Sequence, residues 1–68
     1  MAETFEPVEG AGPRMQDIVD HLKAGKSYSV WDGRRWQRGS LTAKQWAIER
    51  RRYDDDDPPL SSAWRLDP

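Results

Sequence analysis

Arginine and tryptophan are concentrated in one stretch near the middle of the chain. Residues 31–38, with the sequence WDGRRWQR, place two indole rings among three guanidinium groups, and Arg50, Arg51 and Arg52 form a second basic run. Guanidinium groups bind carboxylates and phosphates, and indole rings fill apolar pockets or stack on flat ligands. These residue types therefore indicate binding chemistry at a surface.

Residue types that carry catalysis or hold metals are sparse. His21 is the only histidine and cysteine is absent, so neither a pair of imidazoles nor a thiolate site is available. The serines have no base placed beside them. The run Asp54–Asp57 lacks the spaced ligands of a structured metal site, and Gly10, Gly12 and Gly25 form no phosphate-binding motif. We therefore predict that the protein is not an enzyme and carries no cofactor or metal.

A β-hairpin is predicted to position the central arginines and tryptophans, because Asp32-Gly33 is a strong hairpin turn signal. Two registers are open. A two-residue turn places Tyr28 and Val30 on the face opposite Trp36, whereas a three-residue loop with a bulge at Gly33 gathers all three on one face. We predict the second register, since it keeps the apolar residues together. Trp31 then lies at the loop tip, where it either contacts a partner or folds back over the edge of the core.

A helix is predicted on each side of the hairpin. The first opens at Pro13 and ends near Gly25, with an apolar stripe at Met15, Ile18, Val19 and Leu22. The second begins at the capping box formed by Thr42 and Gln45 and runs from Ala43 to about Tyr53. Its last turn carries Arg50–Arg52, which either face a partner or pair locally with Asp54–Asp56 at i, i+4.

Charge divides the chain into three segments. Residues 1–12 carry −3, residues 13–53 carry +6 and residues 54–68 carry −4, within a net charge of −1. A 68-residue chain supports one small core. We therefore predict an α+β single domain at 13–53, built as helix, two-stranded antiparallel hairpin and helix, with flexible acidic tails at 1–12 and 54–68.

Each tail contains apolar residues with two alternative roles. Phe5 and Val8 in the first tail either stay in a flexible segment or anchor it on a partner. Trp64 in the second tail lies in a segment that either docks on a partner or folds back onto its own domain. No stretch is long and apolar enough to span a membrane and no signal peptide is evident, so we expect a cytoplasmic protein without a membrane partner.

The order helix, hairpin, helix, with Leu22, Gly25-Lys26 and Asp32-Gly33-Arg34-Arg35, resembles the small phage head-completion proteins that plug the capsid portal before tail attachment. The similarity covers roughly residues 15 to 52. It implies a small structural adaptor.

Two binding functions follow from the residue types. The first is a protein interaction module that docks on a larger protein or assembly, because Trp, Tyr and Arg dominate binding energy at interfaces. The alternative is a nucleic-acid-binding protein that uses the hairpin and the second helix for phosphate contact and base stacking. The candidate partner-binding residues are Trp31, Arg34, Arg35, Trp36, Arg38, Arg50, Arg51 and Trp64.

Overall fold

A computed structural model describes residues 5–53 and 56–68 of the chain. The elements are α1 (Met15–Lys23), β1 (Tyr28–Trp31), β2 (Trp36–Arg38), α2 (Ala43–Arg51) and β3 (Trp64–Leu66). The three strands form one antiparallel sheet in the order β2-β1-β3. The predicted α+β class is confirmed as a mixture of two helices and a three-stranded sheet. Neither helix in the described part of the chain is long and apolar enough to cross a membrane.

Helix α1 buries the apolar stripe that its sequence spacing predicts. Ile18 is fully buried, and Met15 and Val19 are at most 5 % exposed. The Asp17 carboxylate accepts a hydrogen bond of 3.0 Å from the Arg14 backbone N–H, which satisfies a donor at the start of the helix. Gly25, with a φ of 81°, turns the chain out of the helix as expected.

Helix α2 begins at the predicted capping box. The Thr42 hydroxyl accepts from the Gln45 backbone N–H at 3.2 Å, and the Gln45 side-chain oxygen accepts from the Thr42 backbone N–H at 2.8 Å. Trp46 is the buried residue of this helix, with 7 % of its surface exposed. The helix ends at Arg51, which corrects its predicted end at about Tyr53; Tyr53 lies beyond it and is 52 % exposed.

The predicted register of the hairpin is wrong. Trp31 lies opposite Trp36 and Val30 opposite Gln37, so the connection is a four-residue loop and Trp36 faces away from Tyr28. The Asp32 backbone N–H donates to the Arg35 carbonyl at 3.1 Å, which closes the longer loop. The prediction failed because it assumed that one face of the hairpin is apolar, whereas both faces carry large aromatic side chains.

The C-terminal residues form a third strand that the sequence prediction did not include. Trp64 lies opposite Val30 and Leu66 lies opposite Tyr28, so β3 pairs with the free edge of β1. Tyr28, Val30 and Trp64 share the face of the sheet that packs against the helices, which we call the inner face. The segment after the prolines therefore folds back onto its own domain, the alternative that the sequence left open.

The described residues of the two predicted tails pair with each other. The Ser62 backbone N–H donates to the Val8 carbonyl at 3.0 Å, and the Gly12 backbone N–H donates to the Leu60 carbonyl at 2.8 Å. The Leu60 backbone N–H in turn donates to the Pro13 carbonyl at 2.9 Å. These contacts correct the prediction of flexible tails for residues 5–12 and 56–68, because each segment supplies backbone partners for the other. Residues 1–4, 54 and 55 lie outside the described residues.

Asp57 joins the C-terminal segment to both helices. Its two carboxylate oxygens accept hydrogen bonds of 3.2 Å from the backbone N–H groups of Met15 and Gln16, at the start of α1. One of these oxygens lies 3.2 Å from Nε of Arg50 in α2. The negative charge thus meets the positive end of the α1 dipole and a guanidinium group at once. Of the predicted local pairs, that of Arg52 with Asp56 is not formed, since Arg52 lies 3.6 Å from Glu49 instead. The predicted pairs with Asp54 and Asp55 lie outside the described residues.

Replacing Asp57 with Asn is expected to lower the free energy of unfolding by about 1 to 3 kcal/mol, because the side chain is only 11 % exposed and loses both its ion pair and its charge at the helix start. Urea denaturation followed by circular dichroism measures the change. Asp56→Asn is the matched control, since that side chain is exposed and a change within about 0.5 kcal/mol is expected. Equal effects of the two variants would contradict the bridging role of Asp57.

Tyr28 of the inner face packs closely against Gly39. Its ring meets the Trp46 ring edge-on, with centroids 5.7 Å apart, and its hydroxyl accepts a hydrogen bond of 3.1 Å from the Leu41 backbone N–H. A Cβ atom added at Gly39 would lie 1.9 Å from the Tyr28 ring. A side chain is therefore excluded at Gly39 by this contact.

Gly39→Ala is expected to destabilise the fold by about 1 to 3 kcal/mol through overpacking against a buried ring. Thermal unfolding should show a lower midpoint, and the near-ultraviolet circular dichroism of the aromatic residues should change. Ser40→Ala, at the exposed neighbouring position, is expected to stay within about 0.5 kcal/mol of the wild type. A Gly39→Ala variant as stable as Ser40→Ala would show that the ring does not restrict this position.

Candidate functional site

The second face of the sheet, which we call the outer face, carries an aromatic cluster. Trp31 and Trp36 lie opposite each other on β1 and β2, with ring centroids 5.6 Å apart in an edge-to-face arrangement. Phe5 packs on both rings, at 5.1 Å from Trp31 and 5.3 Å from Trp36. All three side chains are half-buried. The aromatic cluster is therefore Phe5, Trp31 and Trp36, and its rings remain partly accessible to solvent.

Arg65 of β3 reaches across the outer face to the aromatic cluster. Its guanidinium carbon lies 4.1 Å from the centroid of the Trp36 ring, within the range of a cation–π contact. The same side chain lies 3.8 Å from the Asp67 carboxylate and is 53 % exposed. Arg65 was absent from the predicted binding residues, because nothing in the sequence indicated that β3 would join this sheet.

The loop between β1 and β2 presents Arg34 and Arg35 to solvent beside the aromatic cluster. One Asp32 carboxylate oxygen accepts the backbone N–H groups of Arg34 at 2.8 Å and Arg35 at 2.9 Å, while the other accepts from the Gln37 side chain. Gly33 adopts a φ of 103°, which a residue with a side chain rarely adopts. Asp32 thus fixes the backbone of the loop, and the two arginine side chains are left to project from it.

Three arginines on this hairpin take no part in the ion pairs found among residues 5–53 and 56–68. Arg34 and Arg35 are exposed on the loop, and Arg38 is exposed on β2, two positions from Trp36 and therefore on the outer face. The structure thus brings together five of the predicted binding residues. They are Trp31, Arg34, Arg35, Trp36 and Arg38.

The remaining predicted binding residues lie elsewhere. Trp64 packs on the inner face against the core, and Arg50 is held by Asp57, so both have structural contacts within the chain. Arg51 is exposed on α2, which packs on the opposite side of the sheet from the aromatic cluster. The predicted basic surface that combines the hairpin and the second helix is therefore divided between two sides of the molecule.

A polar cluster holds the end of the chain. The Asp67 carboxylate accepts hydrogen bonds from the hydroxyls of Ser27 at 2.9 Å and Ser29 at 2.9 and 3.0 Å. The Asp67 carbonyl accepts from Nε2 of His21 at 2.5 Å, so this ring nitrogen carries a proton. Because both hydroxyls face a carboxylate rather than the imidazole, the cluster does not form a nucleophile and base pair. Its contacts fix β3 against α1 and β1.

An apolar depression of about 420 Å³ lies beside the start of α1. Its lining residues are Glu9, Gly10, Met15, Tyr53, Pro58, Pro59 and Leu60. The lining contains one carboxylate and no nucleophile with an adjacent base. Within the ranges 5–53 and 56–68, no three His, Asp or Glu side chains are grouped as metal ligands would be.

No protein-family model, curated protein or solved structure matches this chain. The resemblance to phage head-completion proteins therefore stays a prediction from the sequence. The outer face itself brings packed aromatic rings and exposed arginines side by side.

Hydrogen bonds from the Gln37 side chain and from the backbone of Arg35 and Arg34 lower the pKa of Asp32 to about 2. The charged carboxylate is thus preferred in the folded protein. This contribution to stability is complete above the ordinary pKa of 3.8 and is lost as the pH falls through about 2. Acidification below about pH 2 is therefore expected to loosen the loop that carries the arginines.

We expect Gln37→Ala to raise the pKa of Asp32 toward 3.8, because the Gln37 side chain contributes the strongest of these hydrogen bonds. The ¹³C chemical shift of the Asp32 carboxyl carbon, followed through a pH titration, measures it. Gln16→Ala is the control, since that amide binds Asp20 on α1 and does not approach the loop. An unchanged midpoint in Gln37→Ala would show that the backbone donors alone hold the carboxylate charged.

Proposed function

We propose that this protein is a small non-enzymatic adaptor that docks on a larger protein or assembly through the outer face of its sheet. The observation that supports the proposal is the arrangement of Trp31 and Trp36 beside Arg34, Arg35 and Arg38. Aromatic and arginine side chains supply most of the binding energy at protein interfaces, above all when they are held in fixed positions.

The rigidity of the outer face favours this function. Trp31 and Trp36 lie on paired strands, and Asp32 holds the loop backbone with hydrogen bonds to Arg34 and Arg35. Such pre-organisation reduces the conformational entropy that a partner would otherwise have to remove on binding. The core already contains Trp46 and Trp64, so the outer pair contributes little to packing against the helices.

Nucleic-acid binding is the second candidate, and the hairpin arginines favour it, because none of the three is engaged in an ion pair within the described ranges. Two features weigh against it. Arg50 is bound to Asp57, which removes one predicted phosphate contact from α2. The ring of Trp36 is approached by Phe5 and by the Arg65 guanidinium, so it offers less free surface for base stacking.

The proposed function predicts that Arg34→Ala combined with Arg35→Ala reduces recovery of the partner from host extract by about tenfold or more, because each residue of an interface centre contributes more than about 1 kcal/mol. Affinity capture with quantitative mass spectrometry, performed after nuclease treatment, measures it. The matched control combines Lys23→Ala with Lys44→Ala, which removes the same charge from exposed positions of the two helices.

Three results separate the candidates. Loss of the partner only in the arginine variant supports the adaptor. Equal recovery by both double variants contradicts it. If nuclease treatment removes the partner, and binding weakens steeply with added salt, the nucleic-acid candidate replaces it.

A further inference from the structure

Phe5 occupies the outer face in the manner of a bound peptide. Its ring contacts Trp31 at 5.1 Å and Trp36 at 5.3 Å, although it lies more than 25 positions away in the sequence. It belongs to no helix or strand of the fold. The Phe5 side chain, from a segment without regular structure, thus packs against two rings that are held on strands.

The charges around this contact are complementary. Phe5 is followed by Glu6, which is exposed, and residues 1–12 contain three glutamates and no basic residue. The outer face carries Arg34, Arg35 and Arg38 without ion pairs among the described residues. An acidic segment with an aromatic residue therefore matches both the rings and the charge of this surface.

The contact is also easy to release. Val8 is the first residue of this segment with hydrogen bonds to the rest of the described chain, through its carbonyl and its N–H to Ser62. Glu6 and Pro7 make none in the described ranges, and Phe5 packs outside the core. Moving Phe5 away consequently breaks no helix or strand.

From these observations, and building on the proposed function, we infer that the outer face binds an acidic peptide segment carrying an aromatic residue on the partner protein, and that Phe5 holds this site until the partner displaces it. The partner's aromatic side chain takes the place of Phe5 against the rings of Trp31 and Trp36. The carboxylates that flank this aromatic residue in the partner peptide pair with the three hairpin arginines. Glu6 supplies a single carboxylate and cannot pair with all three.

This arrangement has a quantitative consequence. Because Phe5 is tethered to the site, it competes with an external peptide at an effective concentration of about a millimolar or more. The apparent affinity of the peptide is then the affinity for the open site multiplied by the fraction of molecules in which the site is open. Removing the Phe5 side chain should therefore increase the affinity for an external peptide. For a half-buried phenylalanine ring we expect the increase to be about five- to tenfold.

The test uses the 68-residue chain and, as the probe, a synthetic peptide with the sequence of residues 1–9. Three proteins are compared: the wild type, Phe5→Ala, and Val8→Ala as the matched control from the same segment, whose side chain is 59 % exposed. Two-dimensional ¹H–¹⁵N NMR follows the indole N–H signals of the four tryptophans during titration. A second peptide carries Phe5→Ala, and a third carries Gln in place of its three glutamates.

The expected result is that the peptide shifts the signals of Trp31 and Trp36 in Phe5→Ala with an affinity about five- to tenfold higher than in the wild type and in Val8→Ala. The signals of Trp46 and Trp64 stay in place, because these rings lie on the inner side. The peptide without phenylalanine should not bind. The peptide without glutamates should bind several-fold more weakly, and salt should reduce the difference.

Three results would overturn the inference. In the first, no peptide shifts the Trp31 and Trp36 signals of Phe5→Ala. In the second, sedimentation shows a wild-type dimer and a Phe5→Ala monomer, so that Phe5 crosses between two copies of the chain. In the third, a single-stranded oligothymidylate perturbs the same signals and the peptides do not.

The inference and the proposed function fail in different experiments. If partner capture depends on Arg34 and Arg35 but the peptide does not bind Phe5→Ala, the adaptor function stands and the partner uses different chemistry. If the peptide binds as expected but recovery of the partner does not depend on Arg34 and Arg35, the outer face is a peptide site and the adaptor proposal is wrong.

Discussion

The carboxylate of Asp57 is the contact on which the arrangement of this small fold depends. It accepts the first backbone N–H groups of α1 and pairs with Arg50 of α2, so one charged group joins two helices and the segment that leads to β3. A group with so little solvent exposure requires partners for its charge, because an unpaired buried carboxylate is costly. Asp57 thus anchors the start of the segment that leads to β3, and the contacts of Asp67 hold its end against α1 and β1.

The sheet has large aromatic side chains on both faces, and this divides the molecule into a structural side and the side that we propose to bind a partner. On the inner face, Tyr28 meets Trp46 of α2 and leaves no room for a side chain at Gly39. Both helices of the described residues pack on this inner side. On the outer face, Trp31 and Trp36 are met by Phe5 instead, and all three rings remain partly exposed.

Local patterns in the sequence predicted α1 to begin at Pro13, two positions before Met15, and correctly indicated where α2 begins and that a turn lies at Asp32-Gly33. Each of these features depends on residues within a few positions of one another, such as the reciprocal hydrogen bonds of Thr42 and Gln45. The hairpin alone also placed Trp31 and Trp36 close to the loop arginines. Five of the eight candidate binding residues consequently lie together on one part of the surface, although the predicted register and the faces derived from it were wrong.

The tertiary structure decided what depends on residues far apart in the chain. Arg50 and Trp64 are both candidate binding residues in the sequence, yet one binds Asp57 and the other packs on the core. The register of the hairpin depends on the hydrogen bond that closes the loop at Asp32 and on the aromatic residues of the outer face, which no local pattern reveals. The sequence by itself determined the start of α2 and the turn, because these are stabilised by neighbours along the chain. Long-range contacts determined the third strand, the pairing of the two terminal segments and the position of Phe5. Such contacts stabilise the fold only after the chain has brought residues distant in sequence together.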